Sequence, residues 1–253
     1  MNNYINDKLT TQTYWENYYK NVSTEKKVIE RIGQTDDKYW DIFYKAARLK
    51  DNNILEIGSY PGRYLAYLAA KFNLNPTGID YNSDYKKIEE TMRIMSITNY
   101  KYIQEDFFKV TPTEKFDFVF SMGFVEHFEN FKEVMDKHVE FMNDKGALLI
   151  RVPNKKYFRK WYGLLVDYKN LKIHNLKCMN YKVFTDFAQR NNLKIHTLKY
   201  ESGFAYSVHQ ELNFTQKIIY HVVKRFSIFL NPLLKKYPSK FYSSYMVAIF
   251  TKN

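Results

Sequence analysis

NILEIGSYPGRYLAYLA, residues 53–69, joins a short apolar run to a helical pattern through a glycine-bearing turn. Ile54, Leu55 and Ile57 read as a buried strand, Gly58 and Gly62 permit a tight turn and close backbone approach, and Leu65, Leu68 and Ala69 recur at helical spacing. Glu56 interrupts the apolar run. A buried carboxylate is costly unless something satisfies it, so Glu56 is placed for a polar ligand or for loop amides rather than for packing. Strand, glycine turn and helix in that order make a nucleotide cradle, and they also make an ordinary βα turn.

The flanking segments favour the cradle. NPTGIDY, residues 75–81, reads as a second strand ending at Asp80, 18 residues past Gly62. An acid about 20 residues beyond the glycine turn is where α/β nucleotide sites grip ribose hydroxyls. Residues 100–108 read as a third strand running into Asp106, 116–121 as a fourth and 146–154 as a fifth. Strands alternating with helices imply a mainly parallel sheet with right-handed crossovers, and ligands of such sheets bind outside the carboxyl ends of the strands.

These residues resemble the class I S-adenosylmethionine-dependent methyltransferases, over about 50–154 and more weakly to the end of the chain. The resemblance implies an α/β, Rossmann-like fold: a seven-stranded, mostly parallel sheet with helices on both faces, plus N-terminal helices and helical insertions. It implies S-adenosyl-L-methionine as cofactor and S-adenosyl-L-homocysteine as product. Glu56, Gly58, Ser59, Tyr60 and Gly62 then form the first cofactor motif, and Asp80 with Tyr81 the ribose site. Asp106 with Phe107 looks like the pair that meets adenine, and Ser121 and Met122 lie in the fourth motif. Tyr60 departs from the pattern, standing where the family has a glycine and making the turn bulkier on the methionine side.

At 253 residues and 45% hydrophobic content the chain can bury a full core, and it reads as one decorated domain. Residues 1–50 form a helical cap, 51–154 the cofactor-binding core, and 155–253 a substrate-side half. Within that last half, 154–180 is an insertion, 181–190 a helix, 193–200 a sixth strand and 243–251 a seventh. The sequence has no run of 18 or more uncharged apolar residues and no secretory pattern at residues 1–8, so a cytoplasmic location is expected. The one cysteine, Cys178, has no internal disulfide partner and reads as a structural thiol.

Thirty-nine basic against 27 acidic residues leave a net charge of +12, which suits an anionic partner. Arg151, Lys155, Lys156, Arg159 and Lys160 cluster after the fifth strand. Facing the cleft they suit a phosphate or other acid; facing outward they are a solvated surface. Tyr14, Trp15, Tyr18 and Tyr19 crowd one short span, and either pack on the helical layer, the favoured reading, or close over the cofactor. Residues 213–240 carry Ile218, Val222, Phe226 and Phe229 at helical intervals among lysines and Arg225. That pattern fits a substrate lid or a dimer contact first and membrane-surface contact after them.

Methyl transfer needs alignment, exclusion of water and, for a hydroxyl acceptor, removal of a proton. His127 is the candidate base and Glu126 the candidate orienting carboxylate, with a structural role for His127 as the alternative. Some quinone and small-RNA methyltransferases place a divalent metal on Glu-x-x-Glu-His here. Gly123 replaces the first carboxylate, so no metal is expected. Tyr14, Tyr18, Arg151, Lys155, Arg159 and His209 are the candidate substrate contacts. The pattern as a whole looks like bacterial methyltransferases of capsule or O-antigen biosynthesis. That likeness implies O-methylation of a small anionic sugar- or phosphate-containing precursor, phosphoramidate groups included, by a monomer or homodimer. Lipid-linked, quinone-like or RNA acceptors are the alternatives, although no added nucleic-acid-binding module is evident. A catalytically silent binding protein, suggested by Tyr60, is another.

Overall fold

The computed structural model describes residues 8–48 and 50–252, so residues 1–7 of the expected cap lie outside the described residues. Three helices come first, α1 (Gln12–Tyr19), α2 (Lys26–Gln34) and α3 (Asp37–Ala46). The next unit runs β1 (Asn53–Ile57), α4 (Arg63–Phe72), β2 (Asn75–Asp80), α5 (Tyr85–Ile94), β3 (Lys101–Gln104), β4 (Phe116–Met122), α6 (Phe131–Glu140) and β5 (Met142–Pro153). After β5 come α7 (Tyr157–Val166), α8 (Tyr168–Lys172), α9 (Tyr181–Arg190), β6 (Leu193–Glu201), α10 (Phe214–Lys236) and β7 (Tyr245–Lys252).

The seven strands form one sheet in the order β3-β2-β1-β4-β5-β7-β6. Strands β1 to β5 pair in parallel, while β7 lies antiparallel between β5 and β6. All five parallel strands therefore end on one edge, which gathers the polar strand ends predicted from the sequence.

Alternation along the strands decides which residues pack on which face. Leu55 and Ile57 join a core with Val134 and Met135 of α6 and Phe184 and Phe187 of α9. Ile54 points the other way, into a second core with Trp40 and Phe43 of α3, Leu65 and Leu68 of α4, and Ile88 of α5. Helices thus cover both faces. Each such side chain, fully buried, contributes roughly 1.5–3 kcal/mol.

The turn after β1 uses left-handed backbone at Gly58 (φ 73°) and Gly62 (φ 83°). A Cβ at Gly58 would stand 2.5 Å from the Phe124 ring, so only glycine fits there. Cys178 is fully buried with its Sγ on the Asn175 carbonyl, and burial raises its pKa well above the usual thiol value, which suits a packing role.

Candidate active site

At the first end of the crevice, the sequence-predicted cofactor residues hold one another in place. Glu56 is buried and accepts the Leu65 amide at the start of α4 (3.1 Å), which is how a strand carboxylate survives in an apolar run. Burial pushes its pKa well above the usual range. Asp80 accepts the amides of Tyr60 (3.0 Å) and Asn82 (2.8 Å), so the end of β2 is locked to the glycine turn. Tyr60 itself turns away from the cavity: its ring is buried in the second core against Tyr19 and its hydroxyl donates to Asp84 (2.8 Å). The bulk expected at the methionine side is absorbed by the core. Ser59 is buried with an Oγ that finds no partner. Backbone freedom at Gly58, fixed acids at the ends of β2 and β3, and a buried free hydroxyl fit a nucleoside-bearing cofactor.

Two residues assigned to this end face the interior instead. Phe107 is a core side chain packed among Phe124, Phe141 and His138, and Ser121 is fully buried with its Oγ 3.0 Å from His138 Nε2. In each case strand-end position was legible from sequence, but the side taken by the side chain was not.

The N-terminal segment lies across the same end. Lys8 pairs with Asp106 at 2.6 Å and sits over the Tyr81 ring, and the Leu9 amide donates to the His127 carbonyl. Further along, Gln12 reaches the Tyr81 carbonyl, Trp15 packs edge-on against His127 (4.8 Å) and Tyr19 against Tyr60. No residue of α1 is fully buried. Tyr14, Trp15 and Tyr18 therefore line the crevice, which corrects the favoured sequence reading for them, while Tyr19 also packs against the second core.

At the second end a cavity of about 280 Å³ collects all six predicted substrate contacts, Tyr14, Tyr18, Arg151, Lys155, Arg159 and His209, together with Glu126, His127 and Met122. The basic cluster divides by side. Lys156 and Lys160 lie outside the cavity lining, whereas Arg151, Lys155 and Arg159 turn inward. Arg151 is already committed: it pairs with Asp36, donates to the Tyr64 hydroxyl (2.9 Å) and stacks on Tyr245. Its expected role as an acceptor contact is corrected to a structural one.

Lys155 and Arg159 differ from it. Both are largely withdrawn from solvent, no ion pair among the described residues neutralises either, and Arg159 Nη1 is buried without a hydrogen-bond partner. Burial, with Arg159 beside it, pulls Lys155 down to about 8, and burial also lowers Arg159.

Between these cations and the cofactor end stand Glu126 and His127, on a single turn of 3-10 helix after β4 (Val125–His127). The His127 Nδ1 faces the Ile173 carbonyl (2.8 Å) and so carries the proton, which leaves the Nε2 lone pair 3.6 Å from Glu126 Oε1. Burial lowers His127 to about 4 and raises Glu126 to about 8. Near neutrality the pair holds a neutral imidazole beside a protonated carboxyl, whose Oε2 is buried and unpartnered.

His174, in the loop after α8, was not found from sequence. Its ring lies 4.7 Å from that of His127 at a tilt of 56°, its Nδ1 is anchored on the Asn170 carbonyl (2.6 Å), and it brings a third ligand-type atom within 4.8 Å of those of Glu126 and His127. The cluster has the composition of a metal site, so the missing carboxylate at Gly123 is a weaker argument against a metal than it looked. The charges facing Glu126, Lys155 and Arg151, are cations and oppose one. Asp167, which accepts the backbone amide of His209 (2.8 Å) and faces its Nδ1 (3.2 Å), is the other residue that no sequence signal singles out.

A glycine-turn crevice joined to a cavity at the carboxyl edge of a parallel sheet has the layout of a nucleotide-cofactor site. The chain belongs to the methyltransferase-domain family, which matches residues 30–198. It is 29% identical over 107 residues to the (S)-coclaurine N-methyltransferase of Papaver somniferum, a match spanning 41% of this chain and 30% of that enzyme. The fold is shared with an S-adenosylmethionine-dependent methyltransferase from Archaeoglobus fulgidus (TM-score 0.54, 16% identity, 96% of this chain and 100% of that one). It is shared too with a plantazolicin methyltransferase in complex with S-adenosylhomocysteine (TM-score 0.53, 14% identity, 96% of this chain and 90% of that one).

Proposed function

We propose that this chain transfers a methyl group from S-adenosyl-L-methionine to oxygen on a small anionic acceptor, a sugar- or phosphate-containing precursor of a surface glycan. The observation that carries the anionic acceptor is the pair of inward, unneutralised cations Lys155 and Arg159. Burying two like charges with no ion pair, and only Asp167 acting on both at longer range, is expensive, and a ligand phosphate or carboxylate offsets that cost. The glycan class is supported by the sequence resemblance alone.

Glu56, Asp80 and Asp106 would hold the cofactor, with Gly58 giving the backbone room for it. When bound, the cofactor supplies an already activated methyl group, so the protein's work is positioning and proton removal. Lys155 and Arg159 fix the acceptor's anionic end, and the aromatic wall of Tyr14, Trp15 and Tyr18 excludes water. The acceptor hydroxyl proton passes to His127 Nε2, and Glu126 stabilises the imidazolium once it ionises.

The match to an N-methyltransferase favours a second reading, in which the acceptor atom is an amine nitrogen that loses its proton to the same pair. Methyl transfer from labelled cofactor to phosphorylated or nucleotide-activated sugars, compared with their neutral counterparts, tests the proposal. It predicts turnover confined to the anionic set and an O-methyl carbon in the product spectrum. Equal turnover of neutral sugars removes the anionic acceptor, and an N-methyl carbon selects the second reading.

A further inference from the structure

Helix α10 carries apolar residues on both sides, with Ile219, Val223 and Leu234 partly buried toward the protein and a second apolar set facing away from it. The side that meets the protein is anchored by polar groups. Gln216 donates to the Leu165 carbonyl (3.0 Å), Asn231 bridges the backbone N–H (2.8 Å) and C=O (3.1 Å) of Phe204, and Ser227 is the one buried residue of the helix. The opposite side is an apolar stripe. Phe214 (79% exposed), Ile218, Val222 and Phe226 (63%) follow at four-residue steps, and Phe229 (81%) and Leu233 continue the line.

The stripe is about 29 Å long at 1.5 Å per residue. Beside it α7, which packs on α10, exposes Trp161 (67%) and Phe158. Large apolar side chains laid out this way mark an interaction surface rather than scattered exposure.

Charge selects the occupant. Neither α7 nor α10 contains an aspartate or glutamate. Lys217, Lys224 and Lys235 are spaced by seven and eleven residues, close to two and three whole turns, and so form a basic flank along one border of the stripe. Arg225, seven residues past Ile218 and four before Phe229, and Lys236, three past Leu233, put two further cations within the stripe itself. A second copy of the chain docked on the stripe would set these cations against their own counterparts with no acid on either helix to neutralise them. An anionic lipid surface meets both features at once. Phe, Trp and Leu enter the headgroup boundary, and the lysines extend to the phosphates.

No helix among the described residues is long and apolar enough to cross a membrane, which leaves contact in the plane of the interface. We infer that the α7–α10 face docks on an anionic membrane surface. This holds whatever the methyl acceptor is, since no residue of the stripe lines the acceptor cavity.

Flotation with vesicles of phosphatidylcholine, with and without phosphatidylglycerol, tests the assignment. The full chain is expected to float with the anionic vesicles, weakly or not at all with the zwitterionic ones, and less as salt rises. Phe226→Ser with Phe229→Ser, both exposed and so compatible with folding, should lower the bound fraction at least tenfold. Each of Lys217→Glu and Lys224→Glu should lower affinity by about fivefold or more. Equal binding to both vesicles, or no binding, overturns the inference. So does a dimer in sedimentation velocity that Phe226→Ser with Phe229→Ser abolishes, because the stripe then belongs to a second copy.

Discussion

The two ends of the crevice manage their charges in opposite ways. At the cofactor end every acid has a partner from its own chain: Glu56 the Leu65 amide, Asp80 two backbone amides, Asp106 the Lys8 ammonium. At the acceptor end Arg159 Nη1 and Glu126 Oε2 are buried without a hydrogen-bond partner, and Lys155 and Arg159 make no ion pair among the described residues, with Asp167 acting on both only at longer range. The first arrangement fixes a shape before any ligand arrives. The second leaves a deficit that only a ligand fills. Arg151, between the two ends, shows the difference within one residue type, because Asp36 has made it part of the fold.

The largest effect is expected where the proton moves. His127→Ala should lower kcat about 10²-fold or more with cofactor affinity unchanged, as steady-state kinetics and calorimetry would show. An unchanged kcat would remove His127 from the reaction. Because Glu126 is raised to about 8, the pair is filled below that pH and empties above it, so kcat should climb through that region in the wild type. Glu126→Gln should flatten the climb. The stability linkage has the same origin: burial favours the protonated carboxyl, so its contribution is complete below the ordinary carboxylate pKa and is lost as pH rises through about 8.

Next come the paired and unpaired cations. Asp36→Ala strands the buried Arg151 and should cost about 3–5 kcal/mol in denaturant unfolding. Lys155→Met removes a buried charge that has no partner, so it should leave Tm unchanged or raised while raising KM for the acceptor about tenfold or more. A large stability loss in Lys155→Met would mean that its counter-ion lies within the protein, and the contrast between the ends would collapse.

A smaller effect is expected at the strap over the cofactor end. Lys8→Ala breaks a partly exposed pair of the kind that contributes about 0.2–1 kcal/mol, so cofactor association in stopped flow should quicken by at most about fivefold. Slower association would make Lys8 a clamp on the bound cofactor instead of an obstacle. The smallest effect is none: dialysis against a chelator should leave kcat unchanged, and a loss restored by a divalent cation would reassign Glu126, His127 and His174 as ligands.

What could be read from the sequence was local. The alternation of Ile54, Leu55 and Ile57, the glycines flanking Tyr60, and Asp80 at its distance from Gly62 are short-range signals, and the sheet follows them strand by strand. Arg151, Lys155 and Arg159 could be placed at the cavity because β5 and the segment after it had to deliver them to the same edge, although their roles could not be read. Whatever depended on chain-distant partners stayed hidden. Lys8 meets Asp106 from 98 residues away, and Asp36 claims Arg151 from 115. His174 reaches the pair through a loop with no pattern of its own. Phe107 and Ser121 were misread for a subtler reason: a residue at a strand end faces ligand or core according to pleat and register, which composition does not encode.

Calorimetric titration with S-adenosyl-L-homocysteine, of the wild type and of Asp80→Ala, is the most direct test of the account. Asp80, fixed at the end of β2 by two backbone amides, is the acid proposed to hold the cofactor. The prediction is binding by the wild type and an affinity reduced about tenfold or more in the variant, the loss expected for a hydrogen bond to a charged group. No binding by the wild type, or undiminished binding by the variant at unchanged Tm, would contradict it.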